Sequence, residues 1–201
     1  MDCSTSLEQI ILVCREKKIN CIAIADHGAI EGALKMRDLA PFNVIVAEEI
    51  LTTRGEIMGM FLKKLVPSGL SMEETIRRIK EQGGLLCAQH PYDKFRADAL
   101  KSDVMDEIAG QIDLVEVFNA RNPLLGSSRR AKKFAQDHHL PGTAGSDAHS
   151  AHEIGNAYVE MPEFKDKDDF LQALSQGTVI GHRANPFSHF SSVWSRIKKA
   201  G

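Results

Sequence analysis

Three short apolar runs in this chain stop at groups that bind metals. Cys21-Ile22-Ala23-Ile24-Ala25 stops at Asp26-His27, Leu85-Leu86-Cys87-Ala88 at Gln89-His90-Pro91, and the stretch through Thr143-Ala144 at Gly145-Ser146-Asp147-Ala148-His149. Such runs are too short for helices and have the pattern of strands buried on both faces, as in parallel sheets. A chain that ends strand after strand in polar ligands has to gather those ends at one edge. That favours an α/β domain, a barrel or barrel-like sheet, with its site at the C-terminal mouth.

Helical spacing fills the intervals. Thr5 and Glu8 have the spacing of a capping box ahead of Leu7, Ile10, Ile11 and Cys14, and a second helix is expected from Ile30 to Leu39. Val44-Ile45-Val46-Ala47 leads as a strand into Glu48-Glu49, and Glu56 to Leu62 follows as a strand after a turn at Arg54-Gly55. Ser71 caps a helix that runs to Gln82 and ends at Gly83-Gly84. Leu114-Val115-Glu116-Val117-Phe118 reads as a strand ending at Asn119, followed by a basic helix around Arg129 to Gln136. A strand near Ala157-Tyr158-Val159, a helix from about Asp168 to Leu174 and a strand at Val179-Ile180 complete the series. No linker or low-complexity stretch divides it, so residues 1–201 are read as one domain.

A chain of 201 residues, 43% hydrophobic with a formal net charge of −2, can bury a substantial core. It offers no global basic field for nucleic acid or an anionic membrane. No apolar run approaches the ~20 residues of a membrane span, and no signal-peptide pattern opens the chain. Cys3, Cys14, Cys21 and Cys87 show no zinc-finger spacing. They read as reduced thiols of a cytoplasmic protein.

A catalytic divalent-metal centre needs imidazole and carboxylate donors converging from different elements. Asp26, His27, Glu49, His90, Asp147 and His149 can supply them. Strand alternation sends Glu48 and Glu49 to opposite faces without saying which enters the site, and an extended Asp147-Ala148-His149 would put both ligands on one face. Each also has an ordinary reading, Asp26 as a helix cap and His90 as a buried structural histidine. Four such strand ends together argue against coincidence. His138, His139, His152, His182 and His189 read as surface or packing residues. Arg96 and Arg121 lie just beyond strand ends that carry candidate ligands and have the geometry to fork a phosphate, against the alternative of ordinary solvated arginines. Arg129-Arg130 and Lys132-Lys133 lack interleaved aromatics and read as a solvated helix face.

In Ala23-Ile24-Ala25-Asp26-His27, Gln89-His90-Pro91, Glu116-Val117-Phe118-Asn119-Ala120-Arg121 and Gly145-Ser146-Asp147-Ala148-His149, the chain resembles the polymerase and histidinol phosphatase (PHP) superfamily. The likeness runs from near Asp2 to about His189, with the motifs in the family's order. The resemblance implies a distorted seven-stranded β/α, TIM-like barrel that binds two or three divalent ions, manganese, zinc or iron, and hydrolyses phosphate esters. It implies Glu49 as a bridging ligand, His90 and Asp147 as ligands of the second and first ions, and His27 and His149 as third-site or phosphate-side histidines. Asn119 stands where many members carry a further histidine, and an amide oxygen binds transition metals more weakly than imidazole. Members begin with a strand ending in His-x-His, whereas Met1-Asp2-Cys3-Ser4 resembles the loop that follows it. The expectation is a barrel lacking its first strand, with a weakened first metal site and a strand edge open to self-association as a homo-oligomer.

The leading functional expectation is a metal-dependent phosphoesterase in which a metal-activated water attacks phosphorus and Asp147 or a nearby histidine handles the leaving-group proton. Small phosphomonoesters, nucleoside bisphosphates and short oligonucleotides are the substrates the resemblance admits. The alternatives are a catalytically impaired module of the same fold that binds a phosphorylated ligand or partner, and a metal-dependent amide hydrolase.

Overall fold

A computed structural model of the chain describes residues 5–123 and 125–182. Cys3, His189 and the reading of residues 1–4 lie outside the described residues. Strands β1 (Cys21–His27), β2 (Asn43–Thr52), β3 (Gly55–Met60), β4 (Leu85–Ala88), β5 (Leu114–Asn119) and β6 (Gly142–Gly145) form one sheet in chain order. Strands β7 (Ala157–Glu160) and β8 (Thr178–Gly181) pair antiparallel as a separate ribbon. Among the described residues six α-helices accompany them: α1 (Leu7–Glu16), α2 (Glu31–Leu39), α3 (Met72–Glu81), α4 (Ser102–Ile108), α5 (Leu125–Asp137) and α6 (Lys167–Ser175).

The sheet is mixed, not uniformly parallel. β1 and β2 are parallel, as are β4, β5 and β6, but β3 is antiparallel to both of its neighbours. A tight turn at Thr53-Arg54 reverses the chain, with Thr52 Oγ1 donating to the Gly55 carbonyl (2.6 Å) and accepting from Arg54 N (3.1 Å). The reversal has a functional consequence. The N-terminal end of β3 lies at the same edge of the sheet as the C-terminal ends of the other five strands.

Side-chain alternation sorts the sheet into two faces. Val46, Ile50, Ile57, Leu86, Ala88 and Val115 face helices α2 to α5 and form the larger core with residues such as Ala33, Ile79, Met105 and Phe134. Ile45, Ala47, Met60, Leu85, Cys87 and Leu114 form the inner face, closed below by Phe170 and Leu174 of α6. Continuing that inner face, Ala47 leads to Glu49, Ala25 to His27, and Met58 back to Glu56. The polar residues of the mouth are therefore extensions of apolar rows.

Two local readings are corrected. The capping box of α1 is Ser6 with Gln9, one residue later than Thr5 with Glu8: Gln9 N donates to Ser6 Oγ (3.3 Å) and Ser6 N to Gln9 Oε1 (3.1 Å). This choice turns Ile10 and Cys14 inward together, one turn apart. Helix α4 has no counterpart in the sequence reading, although Val104, Met105 and Ile108 bury one face of it. No described helix is long and apolar enough to cross a membrane.

Candidate metal centre

At the mouth, His27 from β1 lies between two carboxylates. Its Nδ1 is 2.8 Å from Glu56 Oε1 and its Nε2 3.3 Å from Glu49 Oε2. One donor atom from each of the three residues falls within 4.8 Å of the others. His90 approaches the same group, with Nε2 3.6 Å from Glu56 Oε2, too far for a hydrogen bond. The two β2 glutamates separate as alternation requires: Glu49 enters the cluster, while Glu48 is buried on the opposite face and accepts from Val66 N (2.9 Å).

His90 is 3% exposed, and both its ring nitrogens are buried without a hydrogen-bond partner, as is Oε2 of Glu56. Buried polar atoms in that condition are costly unless something binds them. Imidazole and carboxylate donors converging from three strands and a loop suit a borderline divalent ion. The donor set therefore fits such an ion on the structure's own terms.

The strand rule stops short of His90. β4 ends at Ala88, and His90 takes a positive φ of 29°, a backbone conformation that a non-glycine residue holds only when its surroundings fix it. Part of that fixing is Glu116 of β5, which accepts from His90 N (2.6 Å) and from Asn119 Nδ2 (3.1 Å). Glu116 also explains Gly145. A Cβ at position 145 would fall on Glu116 Oε1, so glycine leaves room for the carboxylate behind the site. Gly145→Ala is expected to cost about 1–3 kcal/mol by overpacking, read as a lower urea midpoint with unchanged slope.

The second part of the site centres on Asp147. β6 ends at Gly145 and Asp147 has φ 49°, so the segment is not extended and the shared-face argument for Asp147 and His149 does not apply. They meet instead through a turn, with His149 Nδ1 2.9 Å from the Asp147 carbonyl oxygen and 3.5 Å from Asp147 Oδ1. Arg96 Nη2 donates to Asp147 Oδ2, and Asn119 Nδ2 lies 3.4 Å from the same oxygen.

Electrostatics reflects the crowding. Burial, then the neighbouring Asp147, pushes the Glu49 carboxyl up. Burial pushes Glu116 up as well. Burial also opposes ionisation of Glu56, but the adjacent His27 and His90 outweigh it and hold that carboxyl down.

Three expected residues are placed differently. Asp26 alternates away from His27, and its Oδ2 sits where a Cβ on Gly32 in the first turn of α2 would come within 3.0 Å, so it borders that helix on the outer face. Arg121 does not share Arg96's partner. Its Nη1 lies 3.3 Å from Glu153 Oε1 in an ion pair whose members are 7% and 4% exposed. Asn119 turns its amide nitrogen to the site and its oxygen to Arg121 N (2.9 Å). Glu56, Glu116 and Glu153 are not among the candidate site residues read from the sequence. Glu116 carried a signal, a lone carboxylate inside an apolar strand, which needs a buried partner.

Comparisons with known proteins agree with this architecture. A family model described as PHP-associated matches residues 127–179. Two uncharacterized proteins of Methanocaldococcus jannaschii are similar, one 45% identical over 114 residues (55% of this chain, 64% of its own) and one 37% identical over 131 (63% and 55%). The chain thus spans less than two thirds of either relative. Among solved structures, PsfC from Pseudomonas syringae PB-5123 superposes with a TM-score of 0.67 at 16% identity, over 95% of this chain and 88% of that one. A two-domain protein from Bacteroides vulgatus containing a predicted PHP-like metal-dependent phosphoesterase gives 0.66 at 16%, over 87% and 60%. The curled α/β sheet shares its fold with that PHP-like neighbour. The PHP-associated match places that likeness in the chain's own sequence.

Proposed function

We propose that this chain is a metal-dependent hydrolase of phosphate esters. The observation that carries the reading is the convergence of His27, Glu49, Glu56 and His90, with the two His90 ring nitrogens and Glu56 Oε2 buried and unpartnered. These four side chains would hold a divalent ion, manganese, zinc or iron, with Asp147 offering a ligand toward a second. A bound divalent ion supplies Lewis-acid stabilisation of phosphoryl oxygens and a water acidic enough to attack near neutral pH.

The chain's own groups do the remaining work. Arg96 is the cation placed to orient phosphoryl oxygens, through a planar fork that matches two of them. His149, with Nδ1 turned to Asp147, is the group placed to pass a proton to the leaving oxygen from its other nitrogen. Glu116 and Asn119 position His90 and Asp147 rather than touching substrate. Arg121 acts through Glu153, whose Oε2 accepts from His149 N (2.9 Å) and so fixes the histidine's backbone.

Small phosphomonoesters, nucleoside bisphosphates and short oligonucleotides are the proposed substrates. The proposal includes a cytoplasmic setting, a PHP-type barrel and self-association as a homo-oligomer. The experiment is release of inorganic phosphate from 4-nitrophenyl phosphate and a nucleotide panel with manganese or zinc. Turnover abolished by chelation supports a phosphoesterase. Tight phosphate binding with no turnover on any ester would favour the ligand-binding module instead.

A further inference from the structure

The centre has two electrostatically different parts. In one, His90 Nδ1 and Nε2 and Glu56 Oε2 have no hydrogen-bond partner. In the other, Asp147 is already satisfied: Oδ2 meets Arg96 Nη2 and Asn119 Nδ2, and Oδ1 meets His149 Nδ1. The Arg96 side chain is 23% exposed and that of Asp147 9%, so water screens the pair weakly.

Arg96 is also held in place. It belongs to the segment that begins at His90 and is closed by Tyr92 N donating to the Leu100 carbonyl (3.0 Å). Within it, Phe95 N donates to Asp93 Oδ1 (2.9 Å), and Asp93 Oδ2 lies 3.9 Å from Arg96 Nε. The guanidinium is thus aimed at Asp147 by a segment anchored in the site itself.

We propose that Arg96 is an internal counter-ion that competes with divalent metal for Asp147 and so sets the affinity of that half of the centre. The inference rests on the metal-centre reading above. A metal ion at Asp147 Oδ2 must displace a charge-assisted hydrogen bond and then bear the repulsion of the nearby guanidinium. Ions therefore load first among His27, Glu49, Glu56 and His90, and Asp147 is engaged only as Arg96 turns away, for which a phosphoryl oxygen is a suitable alternative partner. Occupancy at Asp147 is coupled to what Arg96 holds.

The test is calorimetric titration of the full chain with manganese alone. Arg96→Met should tighten the weaker binding step at least about tenfold, and Arg96→Lys, which keeps the charge but not the planar fork, should fall between it and the wild type. On an Asp147→Asn background the Arg96→Met effect should vanish. Manganese binding equally to wild type, Arg96→Met and Arg96→Lys would overturn the counter-ion role while leaving the metal centre standing. No manganese binding by any variant would overturn the metal centre and this inference with it.

Discussion

Glu56→Gln should lower turnover on a phosphate ester at least about 100-fold, beyond what loss of an outer partner costs a metal site, while leaving the fold intact. The substitution keeps the shape of a buried side chain, so the inner face of β3 stays packed. It removes the charge that faces two histidines, His27 at 2.8 Å and His90 at 3.6 Å. An amide oxygen is a weaker ligand for a transition ion, and its NH2 group would compete for the same imidazole nitrogens. The check is kcat with metal in excess, alongside a thermal melt. A variant with wild-type kcat would remove Glu56 from the centre.

Arg121→Ala should act on stability first. Its guanidinium and Glu153 form a nearly dry ion pair, and Glu153 also accepts from His149 N and Ser150 Oγ (2.7 Å). Burial pushes the Glu153 carboxyl up, but Ser150, the His149 amide and Arg121 outweigh it and keep the group ionised. Deleting Arg121 leaves that buried charge without its guanidinium partner, at a cost of about 3–5 kcal/mol. Urea unfolding measures it directly. Activity should fall as well, because the segment carrying Asp147 and His149 loses its anchor. Unchanged stability with at least an about tenfold rise in KM would return Arg121 to the phosphate-binding role expected from its position in the sequence.

The contrast between these two residues shows what the sequence could carry. Apolar runs ending in Asp26-His27, Gln89-His90 and Asp147-Ala148-His149 located the mouth of the sheet, because burial on both faces leaves a pattern that needs no tertiary information. Alternation separated Glu48 from Glu49 but could not orient them, since that depends on which face the helices cover. Glu56 stayed hidden because it opens a strand, and only the reversal of β3 brings a strand's beginning to the edge where the others end. Asp26 followed the opposite course, adjacent in sequence to His27 yet facing the other side. Arg96 and Arg121 looked alike along the chain, and what distinguishes them is which carboxylate each meets, Asp147 or Glu153. The positive φ values at His90 and Asp147 had no sequence signature, since neither is glycine.

His27, Glu49, Glu56 and His90 are proposed to form one divalent-metal site on which phosphate-ester hydrolysis depends. Elemental analysis of manganese-loaded protein, wild type against His90→Ala, tests it most directly when paired with turnover on the same samples. At least about one tightly held ion per wild-type chain is expected, lost together with activity in the variant. A wild-type chain that retains no ion, or a His90→Ala variant that keeps both its metal and its rate, would contradict it.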